Sequence, residues 1–107
     1  MIENRLNTLM EMLESDPLDS FVRYAIAKEY ENQGNTDMAL KHFLILKSND
    51  PKYVGLYYHL AKLYETQDQI SKAIEVCREG THIAKMLPDF HALSELNTLQ
   101  RNLEMEL

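Results

Sequence analysis

A chain of 107 residues with 45% hydrophobic and 26% charged content is long enough to bury an apolar core and too apolar for wholesale disorder. Seventeen acidic against eleven basic side chains leave a net charge of -6. That excess works against nucleic acid and anionic lipid, whose phosphates must be neutralised by Lys and Arg, so neither is expected as a partner. Cys77 is the single cysteine, so no internal disulfide is available. Met1-Ile2-Glu3-Asn4-Arg5 lacks the basic-then-apolar order of a signal peptide, and no run of about 18 apolar residues follows. The expectation is a cytoplasmic protein.

In chain order, apolar residues recur at steps of three and four, which predicts helices near 4–14, 18–33, 37–48, 52–66, 70–86 and 89–105. The first ends at Asp16-Pro17, and Asp50-Pro51 closes the third. Proline suits the first turn of a helix and a preceding Asp can cap its amides, so each Asp-Pro is expected to end one helix and open the next. Val22, Ile26, Ala27 and Tyr30 form the stripe of the second helix, which Gly34-Asn35-Thr36 stops before the next begins. Ala39, Leu40, Phe43 and Leu46 follow, then Leu56, Leu60, Ala61 and Tyr64. The polar turn Thr66-Gln67-Asp68-Gln69 occupies the place of the glycine turn without a glycine. Ala73, Ile74, Cys77 and Gly80 mark the fifth helix; after Pro88-Asp89, Leu93, Leu96, Leu99 and Leu103 mark the sixth.

Laying residues 20–53 on 54–87 gives seven identities, among them Tyr24/Tyr58, Ala27/Ala61, Lys28/Lys62, Tyr30/Tyr64, Glu31/Glu65 and Ala39/Ala73. Chance at ordinary composition gives roughly two. A helix pair with one apolar face cannot bury it alone, so such pairs stack, with Ala where helices approach most closely.

These residues resemble the tetratricopeptide repeat family. Its pattern stands here as Ile26-Ala27-x-x-Tyr30-x-x-x-Gly34, Ala39-x-x-x-Phe43 and Pro51, then Leu60-Ala61-x-x-Tyr64 and Ala73-x-x-x-Cys77-x-x-Gly80. Arg23, Asp68, Cys77 and Lys85 depart from it without disturbing the period. The resemblance, nearest to small stand-alone bacterial proteins, implies an all-α, right-handed superhelix of about six helices in a single domain. It divides into a half repeat at 4–17, repeats at 20–53 and 54–87, and a capping helix at 88–107.

Catalysis finds little support. His82 lies five residues beyond Cys77, about 140° around a helix. His42, His59 and His91 show no metal-ligand spacing, and no phosphate loop is present because the glycines are isolated. Cys77 reads as a core residue and the histidines as partly exposed. Glu29, Glu31, Glu75 and Glu79 read as solvated carboxylates. No enzyme activity, metal or cofactor is expected.

Tyr24, Lys28 and Glu31 share a helix face at i, i+4 and i+7, and Tyr58, Lys62 and Glu65 copy them. In the family, the first helix of each pair lines a concave groove. The resemblance thus implies a groove for an unidentified protein or peptide, formed by these six with Phe21, Asn32, Gly55 and Thr66 at the edges. The rows are equally readable as surface ion pairs of about 0.2–0.5 kcal/mol inherited from a duplication. The family's best-known mode clamps the terminal carboxylate of a chaperone with basic and amide side chains. Tyr24 and Tyr58 stand in the way of that, so weak or no binding of such tails is expected. The alternative function is self-association as a homodimer through an exposed stripe on the last helix.

Overall fold

Apolar steps of three and four become six α-helices in the computed structural model, which describes residues 2–107, with side chains from Arg5 onward. They are α1 (Ile2–Ser15), α2 (Ser20–Asn32), α3 (Thr36–Asn49), α4 (Gly55–Thr66), α5 (Ile70–Met86) and α6 (Phe90–Glu104). Each lies within four residues of its expected ends, and no strand occurs among the described residues. No helix among them is long and apolar enough to cross a membrane. The chain divides into two compact units, one reaching to Tyr53 and the other running from Val54 to Leu107. That division falls where the first repeat gives way to the second.

In the first unit α2 packs against both α1 and α3. Val22, Ile26 and Ala27 of α2 and Ala39, Phe43 and Leu46 of α3 are buried. The Asp-Pro steps end helices as expected, but they do not open the next ones. Both prolines lie in the connecting turns, and Asp19, three residues after Asp16, caps α2 by accepting the Val22 N–H at 3.0 Å. The Asp16 carboxylate instead accepts the Leu18 N–H within the turn, at 3.3 Å. Asp50 accepts the Ser20 hydroxyl at 2.7 Å, tying the end of α3 to the start of α2. The glycine turn behaves as expected, with Asn35 capping α3 through the Met38 N–H at 3.2 Å.

In the second unit α5 packs against α4, and α6 against both. A side chain at Gly80 would place its Cβ 2.6 Å from Tyr57 Cβ and 2.9 Å from Leu96 Cδ1, so the three helices converge there and leave room only for hydrogen. Leu96, Leu99 and Leu103 are buried and Leu93 half-buried. The leucine stripe of α6 is therefore spent inside its own unit. The stripe named for the homodimer alternative is thus buried or half-buried, not exposed.

Candidate functional site

In the first unit, Phe21, Tyr24, Lys28 and Asn32 line one concavity of ≈ 280 Å³ together with Arg5, Ala25 and Glu29. Phe21 is 67% exposed, a large apolar side chain held at the rim. Tyr24 is fixed from below, its ring 6.0 Å from Phe43 in an edge-on arrangement and 5.1 Å from Tyr53. The Lys28 ammonium sits over that ring, 5.6 Å from its centroid, where the quadrupole attracts it. Arg5 of α1 reaches across to Glu29 of α2 at 3.0 Å. Glu31 is half-buried and does not line the concavity.

The second unit holds a concavity of ≈ 350 Å³ between α4 and α6. Tyr58 and Lys62 form one wall, and His91, Ser94, Glu95, Thr98, Leu99 and Asn102 form the other. Lys62 pairs with Glu65 at 3.1 Å, a bond that raises the lysine pKa above its usual value despite some opposing desolvation. The Thr66 hydroxyl donates to the Lys62 carbonyl at 3.0 Å. Glu65 and Thr66 thus stand behind the lysine and outside the lining. The copied lysines differ in setting: one rests on an aromatic face, the other on a carboxylate.

Two readings of the sequence need correction. Glu29 is 7% exposed and ion-paired, not solvated, because α1 lies over it. His42 is 6% exposed, not partly open. Its ring stacks on Tyr30 with centroids 5.7 Å apart, and its Nδ1 accepts from Arg23 at 3.1 Å. Arginine can only donate, so the histidine proton sits on Nε2. Burial, then the positive charges of Arg23 and Lys41, push the His42 pKa down to about 4. Cys77 is buried, and desolvation followed by the Glu65 charge raises its thiol to about 11, so it is protonated at neutral pH and a poor nucleophile.

Residues missed from the sequence are Arg5, Glu29 and the α6 wall. Arg5 carried a signal, since it stands where the period puts Ala39 and Ala73. The α6 residues carried none, because that helix departs from the repeat.

A tetratricopeptide repeat profile matches residues 54–85. No curated protein matches the chain at a significant level. A tetratricopeptide repeat domain protein from Salinibacter ruber is 41% identical in a match covering 80% of this chain and 96% of that one, with a TM-score of 0.78. The TPR2B domain of yeast Sti1, solved as a complex with an Hsp70 peptide, is 15% identical over 99% of this chain and 85% of that one, at a TM-score of 0.91. The Yersinia enterocolitica type III secretion chaperone SycD, solved with a peptide of the translocator YopD, is 15% identical over 98% of this chain and 81% of that one, at 0.89.

Proposed function

This chain belongs to the tetratricopeptide repeat family, and from that premise we propose that it is a protein-interaction module, a cytoplasmic adaptor without catalytic activity, that binds a peptide or protein segment. The observation that carries the reading is the pair of concavities, each walled by a tyrosine and a lysine four residues apart on one helix face. Tyrosine offers a large apolar face and a polar tip at small entropic cost, which suits recognition. The peptide complexes formed by distant structures of the same fold support the class of partner, though not its identity.

Charge selects among segments. In the first concavity Arg5 is matched by Glu29, which leaves Lys28 as the excess cation. In the second, Lys62 is matched by Glu65, and His91 lies 3.5 Å from Glu95. A segment with aromatic or aliphatic anchors and an acidic group directed at Lys28 fits this arrangement. A bare terminal carboxylate that needs several unmatched cations fits it poorly.

The test is selection of peptides from a random library on the full chain, followed by calorimetry with variants. Tyr58→Ala is the cleaner probe, because Tyr24 also packs on Phe43 and Tyr53, so that Tyr24→Ala lowers stability as well as binding. Selected peptides should be rich in apolar anchors and acids, and Tyr58→Ala or Phe21→Ala should weaken them about tenfold with unchanged circular dichroism. Lys28→Glu should slow association, most strongly at low salt. If no peptide saturates, or if all these variants bind normally, the repeated rows are a relic of duplication.

A further inference from the structure

The repeated tyrosine-lysine step does not give the same surface twice. In the first unit Lys28 covers the Tyr24 ring with its own ammonium, and that ring also packs on Phe43 and Tyr53. In the second unit Glu65 draws the copied lysine away, at 3.1 Å from Lys62 Nζ. Among the described residues no cation lies over the Tyr58 ring. His59 packs nearly perpendicular to it, with centroids 5.7 Å apart. Tyr58 thus lines the concavity between α4 and α6 with its quadrupole unmatched, and the Glu95 carboxylate lines the other wall.

The charge balance there favours a cation. Glu95 lines the concavity, Glu65 stands behind Lys62, and Glu106 is close enough to act on the Lys62 ammonium, which makes three carboxylates. Lys62 and Arg101, whose guanidinium lies 3.5 Å from the Thr98 hydroxyl, make two cations. With histidine uncharged the balance is one negative, and Lys62 is already matched by Glu65. The rest of the α6 wall, Ser94, Thr98 and Asn102 at i, i+4 and i+8, is short, neutral and polar. It is not the apolar stripe on which a further helix of the array would pack.

We infer that the concavity between α4 and α6 takes an arginine side chain of the partner segment, held between the Tyr58 ring and the Glu95 carboxylate. The inference rests on the interaction-module reading and names what its second concavity accepts. Ring and carboxylate act on one charge from two sides. Arginine suits this better than lysine, because a planar guanidinium can stack on the ring while its fork donates to the carboxylate. The hydroxyls of Ser94 and Thr98 and the Asn102 amide can meet the backbone that carries it, since each both donates and accepts. The two copies of the tyrosine-lysine step therefore ask for opposite charges, an acid at Lys28 and a base at Tyr58.

The probe is the end-blocked peptide Ser-Leu-Arg-Leu-Ser, compared with the same peptide carrying citrulline, which keeps the shape of arginine and loses its charge. Magnetic resonance titration of the full chain should show saturable amide shifts at Tyr58, Glu95 and Thr98, with the citrulline peptide at least about fivefold weaker. Glu95→Gln should weaken the arginine peptide about fivefold and leave the citrulline peptide unchanged, so that the variant no longer tells them apart. His91→Lys, which tethers a competing ammonium one helical turn from Glu95, should do the same. Lys62→Gln should tighten the arginine peptide about twofold, the reverse of what an acid-seeking site would show. All three positions are exposed, so circular dichroism should not change. Equal affinity for the two peptides, no saturation at millimolar peptide, shifts confined to the first unit, indifference to Glu95→Gln, or weaker binding by Lys62→Gln overturns the inference. Such a failure beside library peptides that bind through Tyr58 leaves the wider reading standing; failure of both removes it.

Discussion

The two units solve the same problem with different side chains. Each contains a helix pair and one further helix, but α6 buries Leu96, Leu99 and Leu103 against α4 and α5, whereas no described side chain of α1 is fully buried. The second unit is closed by its third helix; the first keeps part of its third helix open. A repeat unit evidently needs one covered face to stand and can leave another available. Removing residues 89–107 is the strongest attack on that comparison. Full burial of one leucine is worth about 1.5–3 kcal/mol, so losing three approaches the whole stability of a small unit. Aggregation or loss of the second unit's thermal transition is expected. Removing residues 2–15 should lower the melting temperature by much less. Equal effects would mean that α1 and α6 play the same part.

The cores differ at matched positions too. Arg23 and His42 of the first unit fall on Tyr57 and Val76 of the second. The first unit thus holds a hydrogen-bonded polar pair, buried His42 with half-buried Arg23, where the second packs the buried Tyr57 and Val76. His42 binds its proton with a pKa near 4 when folded and about 6.5 when unfolded. The unfolded chain therefore takes up more protons between those values. The contribution is fully present above about pH 6.5 and is lost as pH falls toward 4, by on the order of 2–3 kcal/mol. Urea midpoints at pH 7 and 4.5 should show that fall. Arg23→Tyr with His42→Val, which installs the second unit's solution, should remove most of it. An undiminished acid slope in that variant would place the sensitivity elsewhere.

A third contrast concerns space. Leu46 in the first unit corresponds to Gly80 in the second, where Tyr57 takes the volume. Gly80→Ala gains helix propensity but forces its methyl onto Tyr57 Cβ, so a net cost of about 1–3 kcal/mol is expected in denaturant melts. Ala27→Leu and Ala61→Leu, both at fully buried positions, should cost a similar amount by overpacking. An unchanged midpoint for any of the three would show that the close helix approach lies elsewhere.

The period, the six helices and the buried Ala27, Ala39, Ala61 and Ala73 were legible in the sequence because close packing dictates residue size and 3.6-residue spacing dictates position. The polar exceptions were not. Glu29 reads as a solvated acid until α1 is seen to lie over it, and His42 reads as a partly exposed histidine until Arg23 and Tyr30 are seen to pack on it. Burial of a charged group depends on which helix crosses above it, and spacing along one helix cannot reveal that. The candidate site was half legible for the same reason. Tyr24, Lys28, Tyr58 and Lys62 stood out as copies, but their facing walls came from Arg5 and from α6, the two parts that depart from the repeat.

The smallest difference lies in the turns after α2 and α4. Both close with the same pair of bonds: Asn35 N–H to the Tyr30 carbonyl and Gly34 N–H to Glu31, then Gln69 N–H to Tyr64 and Asp68 N–H to Glu65. That geometry places the residue at the turn in the left-handed region, with φ 77° at Gly34 and 60° at Asp68. Aspartate tolerates the region better than most residues yet still meets its own carbonyl there, at a cost of about 1 kcal/mol that glycine avoids. Glycine in turn loses more freedom on folding, which offsets roughly half of the gain. Asp68→Gly should therefore raise stability by about 0.5 kcal/mol. At Gly34 nothing lies within 4 Å of an added Cβ, so Gly34→Ala isolates the backbone strain and should cost about 1 kcal/mol without any clash. Paired denaturation curves decide the matter. If Asp68→Gly destabilises, the aspartate side chain is supporting its turn, and the two turns are alike only in their backbone.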